Sequence, residues 1–359
     1  MGGDAFGVTP FFYIKFMDLE MKNIFICEDG TWSTTTNVDN GKLAPSNVSK
    51  IARVIRSTDK QAIFYDRGVG TDGGADTYLG GITGKGLFLN VKQAYKFIVK
   101  NYNTGDNIYI LGFSRGAYTA RVLAGLIGQM GILRKKYVTD IDAVYTYYKD
   151  KNIDKEIMRD YSSHFCHSSK KVKFLGVWDT VGSLGIPTPF LGWLTSGQHD
   201  FLDSDLSENV ENAYQALALD EIRGQFPPSL WQNSKLCKGQ VVEQKWFAGA
   251  HTNIGGGYSD TGLSDITLVW MLDKIDKAVE STGIKLDVDN EYIKKYVKPD
   301  CTGELRDESD AKTVYKMHKT KRIPFSTNAI NESLDSSVDE RICSKECKYM
   351  PMYKNDIEL

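Results

Sequence analysis

The chain of 359 residues lacks several features that would assign it to a class at once. Its six scattered cysteines are too few for a disulfide-built scaffold, so synthesis in a reducing compartment is expected. The formal net charge of −2 comes without a long basic run, so no nucleic-acid partner is expected. No apolar run reaches membrane-spanning length, and no secretory signal opens the chain, so we expect it to be cytoplasmic as synthesised.

Signatures of cofactor and metal sites are also missing. The glycine-rich stretch at 66–86 has no G-x-x-x-x-G-K-[ST] and no clear helix start, which indicates a long loop rather than a nucleotide site. Cys343 and Cys347 have no second pair at ligand spacing, so a zinc site is not expected. The sequence therefore predicts neither a cofactor nor a metal.

The length allows one large α/β domain or two smaller ones. No linker-like stretch or internal repeat divides the chain, so we expect a single domain over residues 21–359. Cap insertions are predicted at about 131–170 and 185–205, followed by an irregular C-terminal part. Residues 1–20 do not fit the strand that follows them and are expected to be an N-terminal extension, either non-native or disordered.

What the chain does have is a strand, a tight turn bearing a serine, and a helix over residues 106–130. The turn reads Gly112-Phe113-Ser114-Arg115-Gly116, a G-x-S-x-G pattern in the context that a nucleophile elbow requires. The glycines are needed because side chains there would collide with the neighbouring strand and helix. The alternative is a glycine-rich turn whose serine merely caps the helix.

Apolar periodicity predicts further strands and helices that alternate along the chain. Strands are predicted at 22–27, 61–65, 171–178 and 241–248, and helices at 47–57, 87–102, 138–148, 155–161, 206–220 and 262–279. We therefore predict an α/β fold, α/β-hydrolase-like, with a mostly parallel central sheet flanked by helices and with helical and loop cap decorations.

Three residues follow predicted strands in the chain order expected of an α/β-hydrolase: Ser114, Asp179 and His251. The histidine can take the serine proton and return it to the leaving group, while the carboxylate fixes the imidazole tautomer. Asp179 is preferred as the acid because it stands at a clear strand end. Other acids in the same interval remain alternatives, namely Asp200, Asp203, Asp205 and Asp220.

The remaining site candidates line the predicted triad. The backbone N–H of Arg115 and that of Gly30 or Thr31 are the predicted oxyanion-hole donors. Asp29 either orients the loop after the first strand or faces the substrate, and this Asp-Gly turn is alternatively one without chemistry. The apolar irregular segment at 185–195 is a lid, a wall for an acyl chain, or a buried connector. The substrate-pocket candidates are Asp29, Trp32, Leu184, Ile186 and Phe190.

These residues also carry a resemblance, with motifs that recur in the same order in one family. They are CEDGTW, YDRGVGT, GFSRGAYTAR, VWDTVGSLGIP, ALALDEIRGQFPP, QKWFAGAHTNIGGGY, LSDITLVWML and SSVDERI. In these motifs the chain resembles the catalytic domain of the type VI secretion phospholipase effectors, a bacterial α/β-hydrolase family with fungal relatives. The resemblance runs from about Met21 to about Tyr353. The family often has a histidine where Gln215 stands, so this chain must manage without any role of that residue.

The resemblance implies hydrolysis of phospholipid acyl esters, of phospholipase A type, with Ser114, Asp179 and His251 at the triad positions. The residues alone indicate a serine esterase, and a small-ester or lysophospholipid esterase is the first alternative. A non-catalytic hydrolase fold used for binding or in a secretion apparatus is the second, and a metal-dependent reaction through Asp29 with Asp179 and His251 is the third. Expected partners are a lipid or small ester, a membrane surface in transient contact, and a secretion-system or immunity protein. The resemblance also implies delivery to a target cell by a secretion system.

Overall fold

The computed structural model describes residues 21–30, 35–68, 84–150, 152–181, 206–224, 226–232, 236–306 and 319–355. Its strands are β1 (Asn23–Glu28), β2 (Val38–Asp39), β3 (Lys42–Leu43), β4 (Gln61–Asp66), β5 (Asn107–Phe113), β6 (Val172–Trp178), β7 (Val210–Ala218), β8 (Val241–Phe247) and β9 (Glu332–Leu334). Among these described residues, seven strands form one sheet in the order β4-β1-β5-β6-β7-β8-β9. All neighbouring pairs in it are parallel, as the sequence predicted.

Helices cover both faces of the sheet. They are α1 (Asn47–Val54), α2 (Gly84–Asn101), α3 (Arg115–Met130), α4 (Ile141–Lys149), α5 (Lys155–Phe165), α6 (His251–Gly255), α7 (Gly262–Glu280), α8 (Asn290–Tyr296) and α9 (Ser336–Cys343). Short 3-10 turns lie at Lys135–Asp140 and Met352–Asn355. In the described part of the chain, no helix has both the length and the apolar character that a membrane span requires.

The two faces of the sheet bury separate apolar clusters, because successive strand side chains point to opposite sides. Ile24 and Ile26 of β1 belong to the cluster that contains α2 and α3, whereas Phe25 and Cys27 belong to the cluster that contains α1 and α7. Both faces are covered, so β1, β5 and β6 carry nearly continuous apolar runs rather than an alternation of apolar and polar residues. This explains the short, continuous apolar runs that predicted them.

The prediction of a helix over 206–220 is wrong, since this segment contains β7 between β6 and β8. Val210, Ala213, Tyr214 and Leu217 recur at three and four residues, which is the helical period. Six of the nine residues of β7 are apolar, so a subset with helical spacing can be picked from them although the segment is a strand. The pairing of β7 with both neighbours settles the conformation here.

The predicted insertion at 131–170 forms α4 and α5, which lie beside α2 and α3. Val144 and Tyr148 of α4 belong to the same buried cluster as those helices, and Tyr148 donates a hydrogen bond to the Val122 carbonyl. The predicted insertion at 185–205 and the extension at 1–20 lie outside the described residues, so the domain division stays a prediction. The C-terminal part supplies β9 and α9, which the sequence did not predict.

Candidate active site

The turn between β5 and α3 has the strained backbone that a nucleophile elbow requires. Ser114 has φ 57° and ψ −120°, a conformation that non-glycine residues rarely adopt. A Cβ on Gly116 would lie 2.1 Å from the Glu28 carbonyl oxygen, and one on Gly112 would lie 2.4 Å from the Gly116 carbonyl oxygen. The two glycines of the G-x-S-x-G pattern therefore permit the close approach of β1, β5 and α3.

Three side chains from separate strand ends meet at the carboxyl edge of the sheet. Ser114 Oγ lies 2.9 Å from His251 Nε2, and His251 Nδ1 lies 2.6 Å from Asp179 Oδ2. Because Nδ1 faces a carboxylate, it carries the proton, which leaves Nε2 to accept from the serine hydroxyl. Ser114 makes no side-chain capping bond to α3, so the helix-cap alternative has no support in this geometry.

The acid of this hydrogen-bonded chain is Asp179, which directly follows β6 with a φ of 38°. Asp220, one of the alternatives, accepts hydrogen bonds from the Gly249 amide and the Tyr349 hydroxyl instead. The other three alternatives, Asp200, Asp203 and Asp205, lie outside the described residues. The structure thus brings together the three residues that the sequence predicted as a triad.

A buried arginine that the sequence analysis missed holds the Asp179 carboxylate. Arg322 Nη1 lies 2.6 Å from Oδ1 and Nη2 lies 3.1 Å from Oδ2, and the Ala218 amide also donates to Oδ1 at 3.0 Å. Burial alone would raise the pKa of the Asp179 carboxyl, but the charges and hydrogen bonds of Arg322 and His251 together hold that pKa well below its usual range. Asp179 is therefore ionised.

His251 is held through its main chain as well as its ring. Its backbone N–H donates to Glu221 Oε2 at 3.2 Å, and Arg223 pairs with the same carboxylate through Nε and Nη2 at 2.8 and 2.7 Å. The rings of Phe113 and Phe226 lie 4.7 and 5.1 Å from the imidazole. The sequence predicted a glycine-rich loop here, whereas the structure has the short helix α6 beginning at His251.

The backbone N–H groups predicted to form the oxyanion hole have different surroundings in the structure. Arg115 is the first residue of α3, so its N–H stands at the positive end of a helix dipole beside Ser114. The Gly30 N–H donates to its neighbour Asp29 Oδ1 at 2.7 Å in this structure, so its role as a donor to an oxyanion stays a prediction. Thr31 lies outside the described residues.

The Asp29 carboxylate is held by side chains from α1's N-cap and from β4. Its Oδ2 accepts from Ser46 Oγ at 2.6 Å and from the Tyr65 hydroxyl at 2.7 Å, and its side chain is buried. Burial raises the pKa of the Asp29 carboxyl to about 6, although the three hydrogen bonds oppose that shift. The other substrate-pocket candidates lie outside the described residues, namely Trp32, Leu184, Ile186 and Phe190.

Gln215, which stands where the resembled family often has histidine, is buried in the middle of β7. Its Nε2 donates to the Ser229 carbonyl at 2.9 Å, and its Oε1 accepts from Thr180 Oγ1 at 3.2 Å. The side chain thus ties the loop after Asp179 to the segment at 226–232.

A cavity of about 240 Å³ lies against side chains that contact Asp179 and His251. Arg322, which binds Asp179, and Phe226, which contacts the His251 ring, both line it, together with Arg223 and Lys321. Within the part of the chain that the structure describes, no group of three or more His, Cys, Asp or Glu side chains is arranged to hold a metal ion.

Most of the chain matches one family of known proteins. The family model described as "T6SS, Phospholipase effector Tle1-like, catalytic domain" matches residues 22–274. The chain belongs to this family. The matched Tle1-like region contains Ser114, Asp179 and His251, whereas Arg322 lies beyond it.

Relatives of this Tle1-like domain are considerably longer. "Uncharacterized protein YEL023C" of Saccharomyces cerevisiae is 29% identical over an alignment of 231 residues, with a coverage of 57% of this chain and 32% of the yeast protein. A solved structure of an uncharacterized protein from Pseudomonas aeruginosa has a TM-score of 0.43 and 16% identity, covering 75% of this chain and 47% of that chain. A structure of the Tle1 effector bound to the VgrG spike from the type 6 secretion system has a TM-score of 0.39 and 19% identity, covering 67% and 52%. This chain therefore spans about a third of the yeast relative and about half of each solved chain.

Proposed function

We propose that this Tle1-like domain is a serine hydrolase that cleaves carboxylic ester bonds of phospholipids, as a phospholipase of the A type. The observation that carries the proposal is the hydrogen-bonded chain from Ser114 through His251 to the ionised Asp179. Family membership supplies the lipid class of the substrate. A binding protein has no need of a strained serine that is hydrogen-bonded to an oriented imidazole.

In the proposed first step, Ser114 Oγ attacks the ester carbonyl carbon while His251 Nε2 takes the hydroxyl proton. The resulting imidazolium is stabilised by Asp179, whose own charge is kept by Arg322. His251 then gives the proton to the leaving lysophospholipid oxygen, and the acyl group stays on Ser114. A water molecule, deprotonated by the same imidazole, releases the fatty acid and restores the serine hydroxyl.

The negative charge on the tetrahedral intermediate would lie next to the N-terminus of α3. The Arg115 N–H and the helix dipole stabilise an oxyanion at that position without any reorganisation. A second donor would come from the loop after β1. For Gly30 to supply it, its N–H must leave Asp29, so we propose that substrate binding accompanies a change in this loop.

The test is release of fatty acid from phospholipid vesicles by the wild type, by Ser114→Ala and by Ser281→Ala. Ser281 ends α7 and donates to the Ala278 carbonyl, so its variant is a matched control away from the site. We expect release by the wild type and the control, and none by Ser114→Ala. Substrates labelled separately in the two acyl chains assign the position of cleavage. Turnover of short soluble esters without phospholipids would support the small-ester alternative instead.

We also propose delivery by a secretion apparatus and contact with a membrane surface, because the family is one of type VI secretion effectors. Sedimentation of Ser114→Ala with phosphatidylethanolamine–phosphatidylglycerol vesicles tests the membrane contact, since this variant leaves the lipid intact. Export that persists after the apparatus is inactivated would contradict the delivery route.

A further inference from the structure

Arg322 reaches the triad from a distant part of the chain. Residues 319–322 run beside the segment that follows β7, where the Thr320 amide donates to the Ile222 carbonyl at 2.8 Å. This places the Arg322 side chain, only 5% exposed, directly against Asp179. Its two Nη atoms also donate to the carbonyls of Ala218 and Phe226 at 3.0 and 2.6 Å. Each Nη atom of the guanidinium is thus held by one carboxylate oxygen and one main-chain carbonyl.

The charges around His251 form two matched pairs. The imidazole contacts the Asp179 carboxylate through Nδ1, and the backbone N–H of the same residue contacts the Glu221 carboxylate. Arg322 pairs with the first of these carboxylates and Arg223 pairs with the second. Two carboxylates, each paired with a guanidinium, therefore contact the residue that must gain and lose a proton.

We propose that Arg322 is a positioning residue of the triad, which orients the Asp179 carboxylate and limits the tendency of His251 to hold a proton before substrate attack. The proposal rests on the proposed function, since it assigns a role within the same triad. It also gives the segment beyond the family-matched region a part in the site.

The orienting role follows from the hydrogen-bond geometry. A guanidinium fork that binds both carboxylate oxygens fixes the plane of the carboxylate, which a single-point ammonium cannot do. With its plane fixed, Asp179 presents Oδ2 to Nδ1 of His251 at 2.6 Å. The electrostatic role follows from charge alone: without Arg322 the groups around the imidazole carry a net negative charge, which favours the imidazolium.

Two substitutions separate these roles, and a third serves as the control. Arg322→Gln removes the charge, whereas Arg322→Lys keeps the charge and removes the fork. Arg341 is also a buried arginine and donates to the carbonyls of Cys301 and Gly303 rather than to a triad residue, so Arg341→Gln is the matched control. The readouts are the pH profile of kcat/KM on a short ester and the NMR titration of the His251 imidazole, which needs no turnover.

For Arg322→Gln we expect the acid limb of the profile and the His251 titration midpoint to move to higher pH by at least about one unit. For Arg322→Lys we expect a midpoint within about 0.3 unit of the wild type and a kcat at least about tenfold lower, because the charge stays while the carboxylate loses its fixed plane. Arg341→Gln should change neither quantity, although it should lower stability.

An unchanged midpoint in Arg322→Gln would overturn the electrostatic role, and wild-type kcat in Arg322→Lys would overturn the orienting role. If Arg322→Gln does not fold, the Arg322→Lys result alone decides, since a shifted midpoint there contradicts the proposal as well. Should no ester be turned over, the proposed function fails. The NMR titration would still report whether Arg322 controls the protonation of His251.

Discussion

Replacing Asp179 by asparagine perturbs the site in a way that the structure makes calculable. The carboxylate accepts four hydrogen bonds, from the Ala218 amide and Arg322 Nη1 at Oδ1, and from His251 Nδ1 and Arg322 Nη2 at Oδ2. An asparagine side chain has one oxygen and one NH₂ group at these positions. Whichever way it is turned, two donors face the NH₂ group, and the guanidinium loses its counter-charge.

The expected losses differ for stability and for activity. Removing one partner of a buried ion pair leaves an uncompensated charge, which destabilises a protein by about 3–5 kcal/mol. That is a large part of the roughly 5–15 kcal/mol that separates folded from unfolded proteins. Activity should fall about 10⁴-fold, because asparagine no longer holds the imidazole in the tautomer that accepts the serine proton.

The assays are urea denaturation and kcat on a short ester, each measured on three variants. Asp179→Asn should show both losses. The double variant Asp179→Asn with Arg322→Met should recover more than half of the stability, because the orphaned charge is gone, but none of the activity. Asp220→Asn removes a buried carboxylate that accepts from the Gly249 amide and not from the His251 ring, so it should have a much smaller effect on kcat.

Two results would refute this reasoning. If Asp179→Asn kept kcat within about tenfold of the wild type, Asp179 would not be the triad acid. If the double variant were no more stable than Asp179→Asn, the stability loss would not come from the unpaired Arg322. A greater activity loss in Asp220→Asn than in Asp179→Asn would point to the alternative acid.

Three further predictions test other parts of the structure. Gly116→Ala should lower kcat at least about 100-fold, measured on the folded variant, because its Cβ would lie 2.1 Å from the Glu28 carbonyl and must displace the elbow. Burial raises the pKa of the Asp66 carboxyl to about 6, so the wild type loses stability as pH rises through 6. Measured by urea denaturation, Asp66→Asn should therefore be about 1 kcal/mol more stable than the wild type at pH 8, a value reduced for the partial exposure of the side chain, and equally stable near pH 4. Lys50→Met should cost about 3–5 kcal/mol in the same assay while sparing kcat, because it leaves the fully buried Asp265 carboxylate without the ammonium now 2.6 Å from it.

The fold and the core of the site were predictable because local patterns specify both. The elbow is a short contiguous pattern whose glycines answer to steric contacts within a few residues, as Gly112 and Gly116 show. Asp179 and His251 could be found because each closely follows a strand with a clear apolar run. Parallel pairing then brings all the strand ends to one edge of the sheet.

Features that depend on contacts between distant parts of the chain could not be predicted from the local sequence pattern. β7 has helical spacing in its apolar residues, and only burial between β6 and β8 makes it a strand. Arg322 is 143 residues from Asp179 in a polar stretch of the sequence, so no periodicity or motif indicated it. The engagement of the Gly30 amide depends on Asp29, whose orientation is set by Ser46 and Tyr65 rather than by the turn itself.

The measurement that tests the central claim most directly is covalent labelling with a fluorescent fluorophosphonate, followed by peptide mapping. The probe reacts with an activated serine, and the comparison is between the wild type and Ser114→Ala, with circular dichroism to verify that both are folded. We predict a single adduct on the peptide that contains Ser114 and no adduct in the variant. A folded wild type that stays unlabelled, or one labelled equally in Ser114→Ala, would contradict the assignment of Ser114 as the nucleophile.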